Sequence, residues 1–122
     1  MKILFVYNAD SGKLNSLLDI AHKVISPSTY QCSLCSLTHN AFKEKTEWAN
    51  FKASSKHDLQ FLHKNEFKAQ YSARFEYPVI LDITEGMKVL ISKLELENFI
   101  DVKGLIAGIE KVAQDTPKAK TD

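Results

Sequence analysis

Only two of the 122 residues are cysteine, four are glycine, three are proline and one is tryptophan. Each scarcity excludes something. With Cys32 and Cys35 as the whole thiol complement, no second C-x-x-C exists to complete a larger zinc knuckle. The phosphate-cradling pattern G-x-x-x-x-G-K-[ST] is missing around Gly12-Lys13, and no N-K-x-D motif follows. Charge of one sign is also lacking. Sixteen Lys and Arg stand against fifteen Asp and Glu, a net charge of +1. That leaves no electrostatic footprint for nucleic acid or an anionic membrane. Long apolar runs are absent too. The first run ends at Asn8 and Asp10, too short for a signal-peptide core, and no transmembrane stretch follows. A cytoplasmic protein with no cofactor, nucleic-acid partner or membrane partner is expected. In that compartment structural disulfides are rare, so both cysteines are expected to rest as thiols.

What is present is ordinary for a globular chain: 44% apolar and 25% charged residues. The length predicts a single domain over residues 1–113, with a polar tail at 114–122. Ile3-Leu4-Phe5-Val6-Tyr7 is a continuous apolar run, expected as a strand buried on both faces. After the turn at residues 8–12, Leu14, Leu17, Leu18, Ala21, Val24 and Ile25 follow helical spacing until Ser26-Pro27. A second helix is expected over residues 41–54, with Phe42, Trp48 and Phe51 inward. Strands are expected at 59–62 and 77–83, with a short helix at 65–71 between them. Thr84-Glu85-Gly86 turns the chain into a hairpin with 88–91. Val102, Leu105, Ile106, Ile109 and Val112 mark a closing amphipathic helix. Lys43-Glu44-Lys45 and residues 95–97 read as solvated charged faces.

Strand–helix units, an X-Pro-led hairpin and a final helix resemble the thioredoxin-like fold over residues 1–113. The predicted class is therefore α/β, a central mixed sheet of four or five strands flanked by helices. The most specific mark is Tyr77-Pro78-Val79, where that family carries a cis-proline beside its active site. Two alignments compete. In one, residues 3–7 are the central strand, and the family's dithiol position falls at residues 8–12, which hold no cysteine. In the other, residues 3–7 are an extra outer strand, 30–34 are central, and Cys32-Ser33-Leu34-Cys35 lies at the dithiol. The spacing from Cys35 to Pro78 suits the second, and the polarity of Tyr30-Gln31-Cys32-Ser33-Leu34 favours the first. Under either, residues 28–40 must climb back to the Pro78 end of the sheet, bringing His39 and Cys35 toward it.

Residues three apart in a strand point to opposite faces, so Cys32 and Cys35 can bond only if the segment turns or becomes helical. The leading expectation is thiol–disulfide exchange or thiol sensing, with a protein or small thiol as redox partner. By resemblance, Cys32 attacks, Cys35 resolves and Pro78 shapes the site. Exchange further requires at least one accessible sulfur. The rival is a non-enzymatic interaction or metal-binding domain that lacks the dithiol site, a bound metal being held by Cys32, Cys35 and His39 with His22 as a further donor.

The words Tyr7-Asn8-x-x-Ser11-Gly12, His22-Lys23, Ser26-Pro27-x-Thr29-Tyr30-x-Cys32-x-Leu34-Cys35-x-Leu37-Thr38 also resemble a family of short uncharacterised bacterial proteins, some labelled GTPases. Nothing in these residues would hold Mg²⁺ or a γ-phosphate. The turn at residues 8–13 reads as a capped helix start.

Overall fold

Strand β1 (Lys2–Tyr7) is the spine of the sheet, and Ile3, Leu4, Phe5, Val6 and Tyr7 are all buried. A strand covered on both faces has no polar side to present, which is why this run shows no alternation. In the computed structural model, which describes residues 1–9, 32–40 and 43–115, β1 pairs in parallel with β2 (Asp58–His63). On its other side it pairs antiparallel with β3 (Val79–Asp82), and β4 (Lys88–Ile91) closes the order β2-β1-β3-β4. The protein is a mixed α/β fold, and residues 3–7 form an inner strand as expected. The predicted helix at 14–25 and the turn at 10–13 lie outside the described residues, as do Tyr30, His22 and Phe42.

Five helices accompany the sheet among the described residues: α1 (Ser33–Thr38), α2 (Thr46–Ser54), α3 (Lys64–Gln70), α4 (Lys93–Glu97) and α5 (Val102–Asp115). The side-chain period of 2 divides β1 between two cores. Ile3, Phe5 and Tyr7 join Leu34, Cys35, Trp48, Leu96, Leu105 and Ile109 on one face. Leu4 and Val6 join Phe67, Val79 and Leu81 on the other. Trp48 anchors the first core, edge-on to Phe5 at 5.5 Å, while Phe5 stacks on Phe61 at 4.7 Å.

Two expectations need correction. Helix α2 begins at Thr46, not at residue 41. Before it the chain folds back on α1: the Asn40 N–H donates to the Lys43 carbonyl at 2.7 Å and the Lys45 N–H to the Thr38 carbonyl at 2.9 Å. These bonds satisfy backbone groups that a helix would have used, and Glu44 bridges back to His39. Residues 95–97 keep Glu95 and Glu97 exposed as expected, with Lys93 pairing to Glu97, and they form the end of α4. Ser92 Oγ accepts from the Glu95 N–H at 3.2 Å, and the Glu95 carboxylate accepts from the Ser92 N–H at 2.9 Å, a capping box. Helix α5 continues to Asp115, past the expected tail boundary, and residues 116–122 lie outside the described residues. Strands β2, β3 and β4 and helix α3 stand within two residues of their expected places. The Tyr77-Pro78 peptide is cis, and Gly86 turns the hairpin with φ +96°.

Candidate functional site

Cys32 precedes α1 in a non-helical conformation and caps it: its Sγ accepts from the Cys35 N–H at 3.2 Å, and its carbonyl accepts from the Ser36 N–H at 3.0 Å. The turn places residues i and i+3 on one side of the chain. The two Cα atoms stand 5.2 Å apart and the sulfurs are bonded as a disulfide, where thiols were expected. The expectation that this segment must turn or become helical is met.

The expectation of an accessible sulfur is not. Cys32 is 2% exposed and Cys35 is fully buried. The reason lies in the pattern of the helix. Cys32, Leu34, Cys35, Leu37 and Thr38 turn into the core, while Ser33 and Ser36 are only half-buried. The serines that made this stretch look like a surface loop occupy the outer edge of a short amphipathic turn. Inward, α1 packs against α4 and α5 over the Phe5 and Tyr7 face of the sheet. Ser33 Oγ is buried with no hydrogen-bond partner among the described residues.

Pro78 is buried and leads into β3, where Val79 pairs with Val6 near the carboxyl end of β1. The next residue along, Ile80, shares the core that holds both cysteines. His39 also reaches this end. Its ring stands edge-on to Tyr7 at 6.3 Å, its Nδ1 pairs with Thr38 Oγ1 at 2.7 Å, and its N–H donates to the Cys35 carbonyl at 3.0 Å. No group of three or more His, Cys, Asp or Glu side chains is arranged to hold a metal among the described residues.

A buried polar cluster at the end of β1 was not anticipated. Thr38 is fully buried and its hydroxyl donates to the Leu34 carbonyl at 2.9 Å, the i to i−4 bond that serves a helical threonine. That use of the hydroxyl proton leaves the His39 ring N–H as the donor in their contact. Burial pushes the Tyr7 phenol well above its ordinary value, and the Glu44 carboxylate pushes it further. The neighbouring Thr38 and Trp48 side chains oppose the shift without cancelling it. Trp48 Nε1 is buried with no hydrogen-bond partner among the described residues. Glu44 is not a freely solvated charge, because it forms an ion pair with Lys52. The available sequence signal was Tyr7 itself, a phenol closing a fully apolar strand.

Comparison with known protein families, with characterised proteins and with solved structures finds no match to this chain. Among the described residues, no helix is long and apolar enough to cross a membrane.

Proposed function

We propose that this chain is a thioredoxin-like, thiol-sensing protein in which Cys32 and Cys35 interconvert between a dithiol and a disulfide. The observation that carries the reading is a Cys-x-x-Cys pair set by one turn at a Cα separation of 5.2 Å, where the bond closes without backbone movement. The strand order β2-β1-β3-β4, with β3 antiparallel to β1, supports the family resemblance through the alignment that puts the family's dithiol position at residues 8–12, so the roles of Cys32 and Cys35 rest on their own geometry.

Burial favours sensing over exchange. An exchange catalyst must offer one sulfur to an incoming thiolate. At 2% exposure for Cys32 and none for Cys35, the closed protein offers neither. Reaction then requires local opening of α1. Gated access suits a protein that reports redox poise better than one that turns over substrate. On oxidation, the Cys32 thiolate attacks a small-molecule disulfide R–S–S–R, forming a mixed disulfide and expelling one RS⁻. The Cys35 thiolate then attacks Cys32 Sγ and expels the second. The dithiol loses two electrons and two protons, and R–S–S–R becomes two RSH. The Cys35 amide aimed at Cys32 Sγ favours the thiolate that begins this sequence. The partner is a small thiol or a protein disulfide. The reading places the protein in the cytoplasm, where a bonded pair is more often reactive than structural.

Hydrogen exchange on the full chain tests sensing. On reduction, protection should fall in α1 and in the return at residues 38–45, with β1 unchanged. Equal protection in both redox states overturns it.

The same burial favours one rival, a non-enzymatic interaction domain in which the pair only staples α1. Under that reading the bond stays closed at any cytosolic poise.

A further inference from the structure

The sheet face opposite the cysteines carries an aromatic group that packing alone does not use up. Phe67 of α3 is fully buried and fixes the surrounding rings: Tyr71 stacked at 5.0 Å, Phe75 tilted at 6.0 Å and Tyr77 edge-on at 6.0 Å. Tyr71, Phe75 and Tyr77 are themselves only half-buried. Together with Lys68 and Arg74 they line a cavity of about 530 Å³ between the end of α3 and the start of β3. Lys68 Nζ stands 5.7 Å over the Tyr77 ring. Neither Lys68 nor Arg74 is ion-paired with an acid among the described residues. Glu76, the acid of this segment, does not line the cavity.

We infer that this groove binds a small aromatic anion, a planar ring carrying a phosphate or a carboxylate. The volume lies in the range of small-molecule sites. Half-exposed rings held in place by a buried fourth offer a pre-formed stacking surface at little ordering cost. Two cations without acidic partners give the cavity a positive wall, and the Arg74 fork matches phosphate or carboxylate oxygens in pairs. The groove is separate from the cysteine pair, so its fate does not depend on their chemistry.

Titration of the isotope-labelled full chain, followed by NMR, tests the inference with 1-naphthyl phosphate, 1-naphthoate, inorganic phosphate and 1-naphthol. The aromatic anions should saturate shifts at residues 67–77. Inorganic phosphate and 1-naphthol should each bind roughly tenfold or more weakly, since each lacks one half of the recognition. The better of the two naphthyl anions identifies the head group. Arg74→Gln, a change at an exposed position, should weaken the better ligand by roughly tenfold while the rest of the spectrum superimposes. Any of three results overturns the inference: no saturable shift at residues 67–77, inorganic phosphate or 1-naphthol binding as well as the aromatic anions, or unchanged affinity in Arg74→Gln.

Discussion

The backbone N–H of Cys35 donates to the sulfur of Cys32 across 3.2 Å, so the residue that would attack a disulfide also caps the helix that carries the resolving cysteine. Redox state and local helix geometry are thereby tied at one atom. Once Cys32 is reduced, its Sγ can keep that bond only if the side chain holds the same rotamer.

Reduction should therefore cost stability. Closing a loop of this length restricts the unfolded chain by about 2 kcal/mol in the chain-entropy account. Urea unfolding with and without a reductant should show a lower midpoint for the reduced protein. Cys35→Ser should match the reduced form and be insensitive to reductant.

Tyr7 sets an alkaline limit. Its folded-state pKa is raised by burial, so the phenol stays neutral in the native protein while the unfolded chain ionises near the ordinary value of 10.0. Between those values the unfolded state binds fewer protons, and stability falls as pH rises. The contribution is complete below the unfolded value and is lost on the way up to the folded one. Denaturation midpoints from pH 9 to 12 should decline more steeply in the native sequence than in Tyr7→Phe. Parallel curves would count against this role for Tyr7.

How much of this was legible in the sequence differs by element. Residues 3–7 were readable because a doubly covered strand must be apolar throughout, and the X-Pro-led hairpin was readable because Gly86 marks its turn. Helix α1 was not. Its Ser33 and Ser36 made a buried turn look like a polar loop, and six residues are too few for helical periodicity to stand out. Helix α4 was missed for another reason. Its S-x-x-E signature at Ser92 and Glu95 was present, but the acidic residues were read as surface charge. The sulfurs' burial depends on α4 and α5 packing over α1, a long-range fact that no local spacing carries.

The Ser92 cap gives a direct check on that missed signal. Ser92→Ala removes the oxygen that accepts from the Glu95 N–H and should cost about 1 kcal/mol. Because Leu96 is fully buried, the loss should appear in global thermal unfolding and not only as local fraying.

Gly86 offers a second check, at the hairpin. Its φ of +96° suits glycine and strains any residue with a Cβ, although nothing crowds the position. Gly86→Ala should lower stability by roughly 1 kcal/mol through backbone strain alone. A neutral result in chemical denaturation would show that the turn relaxes to another conformation.

Ser33 should behave in the opposite way. Its hydroxyl is buried without a partner among the described residues, so Ser33→Ala removes a desolvated polar group without breaking a bond. Stability should stay level or rise slightly, by up to about 1 kcal/mol, in the same urea assay. A clear loss would reveal a bond to this oxygen.

The central claim is that Cys32 and Cys35 are a reversible pair, and equilibrium redox titration in glutathione buffers, read by thiol alkylation and intact mass, tests it most directly. A single two-electron transition is expected, with both thiols appearing together and the ratio of forms shifting tenfold per about 30 mV. Its midpoint should lie within the cytosolic range, roughly −200 to −320 mV. A pair that remains bonded at the most reducing poise, or thiols that never close under oxidising buffer, would contradict the account.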